Sequence, residues 1–221
     1  MSYAVLYSGG KDSSLALWEA RKAGLEIEYL VTVFPEREDS YMFHKPNLHL
    51  IPKLADEINL ELVKIHSSGE KEKEVNDLKE GMKKLDIEGI ITGAVASTYQ
   101  LNRIEELGRD LSLDIYAPLW NMKQSALLEE LLDQGFRTLI VSISARGLTE
   151  DWLGREIDDG CVKDLKELEK KYGINISGEG GEYESLVMDA PFYRKGFRPQ
   201  EKEKFWDGKR GRLVIEKMKS V

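Results

Sequence analysis

Six consecutive residues near the N-terminus, Ser8-Gly9-Gly10-Lys11-Asp12-Ser13, bring together two glycines, two hydroxyls, a cation and a carboxylate. That set suits a phosphate. Gly9 and Gly10 allow positive φ and leave room for oxygen atoms against the backbone. Ser8 and Ser13 add hydroxyl donors and Lys11 a positive charge, while Asp12, in a first helical turn, either caps free N–H groups or orients a magnesium-bound water. The spacing is neither G-x-x-x-x-G-K-[ST] nor G-x-G-x-x-G. As plain structure, the same letters would make a strand–turn–helix corner with a Ser/Asp cap. Placement favours the phosphate: the run follows an apolar strand directly. Ligands of open parallel sheets bind beyond the strands' carboxyl ends, where a helix N-terminus presents unpaired N–H groups and the positive end of its dipole.

A second group follows the strand Gly89–Gly93. Gly93 and Ala94 permit close approach of a ligand, and Ser97 and Gln100 can reach back as donors. Arg103 and Arg109 lie six apart, too far round a helix to share one phosphate. Arg109 is expected to pair with Glu105 or Glu106 on the solvent face, and Arg103, nearer the loop, to touch nucleotide or substrate. A third group, Gly178-Glu179-Gly180-Gly181-Glu182-Tyr183-Glu184-Ser185, runs into Leu186–Tyr193. Glu179, Glu182, Glu184 and Asp189 are costly to gather without a cation to offset their repulsion. Either this is a mobile acidic surface loop or, as the adjoining apolar run and Asp-Ala-Pro turn suggest, a pinned one with a role in binding.

Other residues carry less. His44 and His49 are five apart, whereas a helical metal pair needs four; their segment is a candidate lid or a plain surface loop. Cys161 begins a helix without the surroundings of a glutamine-hydrolysing nucleophile, so any ammonia comes from solution or another protein. Gly147–Arg155, turn-rich around Trp152, reads as a loop at a domain junction.

The elements that must position these groups alternate. Ala4–Tyr7 reads as a buried strand, with a helix from about Ser13 to Lys22 and Gly24 at its C-cap. Strand Tyr29–Phe34, helix Pro46–Ile58, strand Leu62–Ile65, helix Glu70–Leu85, strand Gly89–Gly93, helix Leu101–Leu111, strand Ile115–Pro118, helix Gln124–Asp133 and strand Thr138–Ile143 follow. Non-alternating, β-branched strands between helices mean a Rossmann-like parallel sheet covered on both faces. After about residue 144 the rhythm changes to a helix, Asp159–Tyr172, and antiparallel strands at Ser185–Met188 and Arg212–Lys217. The expected organisation is a nucleotide-binding domain over 1–122 and a smaller α+β substrate-binding region over 123–221, with the junction anywhere from Trp120 to Arg146.

The 221 residues carry a net charge of −8, which weighs against a nucleic-acid partner because phosphate neutralisation needs clustered Lys and Arg. A single cysteine excludes a disulfide framework and any C-x-x-C metal site. With neither a leader-like N-terminus nor a membrane-length apolar run, the expected location is the cytoplasm, with no membrane partner. Lys and Glu number 47 against four Gln, a balance seen in heat-adapted proteins.

Ser8–Ser13 resembles the PP-loop of the ATP pyrophosphatases, enzymes that split ATP into AMP and pyrophosphate. Together with GAVASTYQLNRIEELGRDLSLDIYAPLW and GEGGEYESLVMDAPFY, it makes the chain similar, from Tyr3 to about Tyr193, to the diphthine–ammonia ligase family. The resemblance implies a C–N ligase that uses ATP and Mg²⁺ to adenylate the carboxylate of diphthine on elongation factor 2. Ammonia then completes the amide, the last step of diphthamide synthesis. It implies ATP contacts from Ser8, Gly9, Gly10, Lys11, Asp12, Ser13, Gly93 and Ser97. Acceptor contacts fall to Gln100, Arg103, Glu179, Gly180, Gly181, Glu182 and Tyr183, and catalysis to Lys11, Asp12, Glu182 and Glu184. Longer relatives append further domains, which this chain is expected to lack. Diphthine also carries a quaternary ammonium, which aromatic faces and negative charge recognise. Tyr183 among the glutamates supplies both, with Trp120 or Trp152 to complete a cage. Elongation factor 2, ammonia and ATP are thus the implied partners, and a homo-oligomer is compatible with them. Two other readings share the loop: a tRNA-thiolating enzyme, disfavoured by the lone cysteine and acidic charge, and a nucleotide-binding regulator without chemistry.

Overall fold

A computed structural model of the chain describes residues 2–35, 47–68 and 71–221. It divides into two compact units, Met1–Ser8 with Asp12–Trp120, and Gly9–Lys11 with Asn121–Val221. His44 and the rest of the candidate lid up to residue 46 lie outside the described residues.

The first unit holds β1 (Tyr3–Leu6), α1 (Lys11–Lys22, of which Lys11 groups with the second unit), β2 (Ile27–Pro35), a 3-10 turn (Leu48–Leu50) continuing into α2 (Ile51–Ile58), β3 (Glu61–Ser67), α3 (Lys71–Met82), β4 (Gly89–Ile91), α4 (Thr98–Leu111) and β5 (Asp114–Tyr116). The five strands form a parallel sheet in the order β3-β2-β1-β4-β5. Ala4, Val5, Ile90 and Ile91 are fully buried, as central strands covered on both faces must be. Ala4, Val31, Val33 and Ile90 pack with Leu78 and Met82 of α3 and Ile104 and Leu107 of α4 in one apolar cluster. The chain builds outward from β1 through β2 to β3, then returns to the other flank of β1 for β4. The direction of winding therefore reverses between β1 and β4. That is the position where open α/β sheets bind ligands, and the turns after these two strands carry Ser8–Ser13 and Gly93–Ser97.

The second unit holds α5 (Gln124–Asp133), β6 (Arg137–Ile143), a 3-10 turn (Glu150–Trp152), α6 (Asp159–Tyr172), β7 (Tyr183–Asp189), β8 (Phe197–Trp206) and β9 (Gly211–Ser220). Its strands pair antiparallel in the order β7-β6-β9-β8. The Rossmann-like parallel sheet and the smaller α+β region are thus both present. Two expectations change. Thr138–Ile143, which the strand–helix rhythm groups with the parallel strands, is β6 of the antiparallel sheet. A short buried apolar run reads the same in either setting. β8 gave no strand signal, because Arg198, Gln200 and Glu201–Lys204 are exposed along it. It is an edge strand, where charge guards against unwanted pairing. Among the described residues, no helix is long and apolar enough to cross a membrane.

Candidate functional site

The phosphate-loop residues are split by their surroundings. In the first unit, the Ser8 and Ser13 hydroxyls lie 3.1 Å apart, and the Ser8 N–H donates to Ser13 Oγ at 3.2 Å. The loop is thereby closed at its base. The helix starts at Lys11, two residues before the Ser13 expected from its apolar spacing, and Asp12 lies in its first turn as expected, where a carboxylate suits the dipole. Gly93, just past β4, packs directly on this turn: a β-carbon there would stand 2.7 Å from the Asp12 carbonyl carbon and from the Ser13 nitrogen. Glycine at 93 is thus required by close approach of the β1–α1 backbone.

Ser97 is the N-cap of α4, its hydroxyl oxygen accepting the Gln100 N–H at 3.3 Å. Gln100 is exposed. Arg103 lies 5.6 Å from the centroid of the exposed Tyr99 ring, one helical turn away, and 3.6 Å from Glu106. Glu106 thus pairs with Arg103, where sequence spacing had offered it to Arg109.

In the second unit, the loop tip Gly9–Lys11 lies along β7. Val187 N–H donates to the Gly9 carbonyl at 2.9 Å, and Lys11 N–H donates to Ser185 Oγ at 3.1 Å. Gly9 takes φ +72°, the left-handed conformation that glycine adopts without strain. The Lys11 ammonium, on a residue only 3% exposed, lies 5.6 Å from the centroid of the Tyr183 ring. Ser185 and Val187 lie in the segment singled out by sequence, but nothing there tied them to the phosphate loop. They are a serine and a valine in an apolar strand, and only the tertiary fold brings them to residues 9–11.

The Gly178–Glu184 segment is pinned. Gly181 N–H donates to the Gly178 carbonyl at 3.0 Å, Ser144 N–H to the Glu182 carbonyl at 2.8 Å, and Asn175 N–H to Glu182 Oε1 at 2.9 Å. Glu182 Oε2 is buried and has no hydrogen-bond partner among the described residues. Leaving a carboxylate oxygen so placed costs free energy that a hydrogen-bond donor or a cation would offset. Tyr183 is buried, its hydroxyl donating to the Ile176 carbonyl at 2.9 Å. Glu179 and Glu184 are half-buried, Gly180 and Gly181 exposed. The aromatic cage read from sequence is not assembled within this unit: Tyr183 faces Lys11, and Trp152 is buried with the Arg155 guanidinium 4.5 Å from its ring centroid. Trp120 belongs to the first unit.

Cys161 is buried in the first turn of α6, its N–H donating to the Asp158 cap at 2.7 Å. Burial pushes its thiol up to about 11. Among the described residues, no three His, Cys, Asp or Glu side chains gather as a metal cage.

Two family models match most of this chain: the diphthamide synthase N-terminal domain over residues 1–115 and the diphthamide synthase C-terminal domain over 123–221. The chain belongs to the diphthamide synthase family. Its relatives include proteins named diphthine–ammonia ligase. Those of Bos taurus and Homo sapiens are each 34% identical to it, with 88% of this chain and 81% of theirs aligned. The fission yeast relative is 32% identical and much longer, with 90% of this chain but 36% of that protein aligned. The two family domains correspond to a parallel-sheet unit carrying Gly93–Arg103 and an antiparallel unit carrying Gly178–Ser185. The family signature therefore spans both constellations singled out in the sequence.

Proposed function

We propose that this protein is an AMP-forming amide ligase that amidates diphthine on elongation factor 2, using ATP and ammonia in the cytoplasm. The match of both diphthamide synthase domains, over nearly the whole chain, carries this reading. The diphthine carboxylate attacks the α-phosphorus of ATP and pyrophosphate leaves. Ammonia then attacks the acyl carbon of the mixed anhydride, AMP leaves, and the new nitrogen gives up a proton.

In this reading the loop Ser8–Ser13 receives the phosphates. Lys11 supplies the cation against charge building on the departing pyrophosphate, and the first turn of α1 supplies dipole and N–H groups. Gly93 and Ser97 serve the nucleotide, and Gln100 and Arg103 the acceptor. Glu179 to Tyr183 form the acceptor side, with Glu184 beside them. Glu182, whose Oε2 is buried with no hydrogen-bond partner among the described residues, takes the proton from the attacking nitrogen. Magnesium, when bound, neutralises phosphate charge. Asp12, in the first turn of α1, is the residue to orient its water.

The thiolation alternative loses further ground. Sulfur transfer needs a thiolate, and the single cysteine is buried with its pKa raised. Incubation of the purified protein with ATP, ammonium and elongation factor 2 lacking its terminal amide tests the proposal. AMP, pyrophosphate and an amidated factor are expected in equal amounts. Release of ADP and orthophosphate, or AMP formation with no acceptor required, would count against it.

A further inference from the structure

Alternate residues of β7 hold successive parts of the phosphate-loop tip. Tyr183 lies under the Lys11 ammonium, Ser185 Oγ accepts the Lys11 N–H, and Val187 N–H reaches the Gly9 carbonyl. Gly10 lies between these two hydrogen-bonded residues. β7 is an edge strand: β6 takes one flank, and on the unpaired edge the Val187 N–H donates to the loop tip, while Lys11 N–H donates to the Ser185 hydroxyl. The same strand begins inside the glutamate segment, where Glu182 is fixed to Asn175 and Ser144. Glu182 stands three residues from Ser185 and five from Val187 along extended backbone.

We infer that Ser185 is a positioning residue that sets the phosphate loop for ATP, and that β7 couples acceptor binding at Glu182–Glu184 to nucleotide affinity. Lys11 N–H is the first amide of α1, one of the donors a helix N-terminus leaves without an intrahelical acceptor. A hydroxyl on β7 directs it, so the conformation of the loop depends on where that strand stands. By linkage, an acceptor that orders the strand tightens ATP, and ATP tightens the acceptor by the same factor. The inference rests on the proposed assignment of the loop to ATP and the glutamate segment to the acceptor.

The test compares wild type, Ser185→Ala and Ser185→Thr. ATP affinity is measured by direct titration, with and without unamidated elongation factor 2, alongside thermal unfolding. Loss of one hydrogen bond of ordinary strength lowers the fraction of correctly set loops by about three- to tenfold. Ser185→Ala is expected to weaken ATP by that factor and to abolish the tightening that the acceptor causes in wild type. Ser185→Thr, which keeps the hydroxyl, restores both. A Ser185→Ala protein that binds ATP as wild type does, or a Ser185→Thr protein as impaired as Ser185→Ala while melting normally, overturns the positioning role. Wild-type ATP affinity that ignores the acceptor overturns the coupling. If amide formation fails in every protein but the ATP titrations follow the expected pattern, the proposed reaction is wrong and the role of Ser185 stands. A wild type that binds no ATP overturns both.

Discussion

Glu182 Oε1 accepts the Asn175 N–H at 2.9 Å, so one oxygen of this carboxylate holds its own segment together while the other, Oε2, is buried without a hydrogen-bond partner among the described residues. Glu182→Gln separates the two jobs. The amide oxygen can still accept from Asn175, so the fold is retained, but the negative charge and the basic site are gone. ATP binding is expected to stay near normal while amide formation falls about 10²-fold or more, the usual worth of a positioned base. Full ligase activity in the variant, or ATP affinity lost as badly as in a phosphate-loop mutant, would remove Glu182 from the acceptor side. Tyr183→Ala is a poorer probe, because the buried ring leaves a cavity costing about 3–5 kcal/mol.

Gly10→Val places a branched side chain at the tip bracketed by Gly9 and Lys11. The variant is expected to fold and to make no AMP, whereas AMP production by the folded protein would show that the loop does not receive the phosphates. Asp12→Ala is expected to lose ATP cleavage in the same way.

Gly93→Ala introduces a β-carbon 2.7 Å from backbone atoms of Asp12 and Ser13, closer than real β-carbon contacts. Backbone cannot rotate aside as a side-chain tip does, so the β1–α1 turn must shift. Thermal unfolding should show a loss of about 1–3 kcal/mol, and ATP cleavage should fall with it. An unchanged melting temperature with unchanged cleavage would mean that the turn accommodates the methyl group.

Asp158 caps α6 through the Cys161 N–H. Asp158→Ala is expected to cost about 1 kcal/mol by denaturant titration, and Asp158→Asn to restore most of it. Equal losses in both variants would indicate charge rather than the cap hydrogen bond.

Cys161 gives a pH dependence whose sign follows from its burial. The folded thiol ionises near 11, above its ordinary value of 9.0. Below the ordinary value both states carry the proton and the group contributes fully to stability. As pH rises from there through about 11, the unfolded chain binds fewer protons than the folded one, and that contribution is lost. Cys161→Ala should flatten this alkaline decline. A thiol reagent at pH 8 should label native wild type only as fast as it opens; rapid labelling of the native protein would contradict a buried, protonated thiol.

Much of the architecture was legible because local signals agree. Non-alternating β-branched strands at Tyr29–Phe34 and Gly89–Gly93, separated by amphipathic helices, call for a parallel sheet covered on both faces. α5 and α6 match their sequence-read bounds. In both, apolar periodicity and an adjoining stop, Gly135 or Gly173, coincide. β8 was illegible for the opposite reason: an exposed edge strand needs charge, and Lys/Glu runs carry no period.

The amino-acid types alone determined that a glycine-rich, hydroxyl-bearing loop follows the first strand and that acidic residues cluster around Gly178–Gly181, because such patterns are local. Only the tertiary structure decided what each segment touches. It put Lys11 N–H on Ser185, 174 positions away, and turned Tyr183 beneath the loop cation instead of outward. It also assigned Thr138–Ile143 to the antiparallel sheet. The partner of a backbone amide depends on strand order and register. These are set by the burial of whole faces, and no single residue or spacing encodes them.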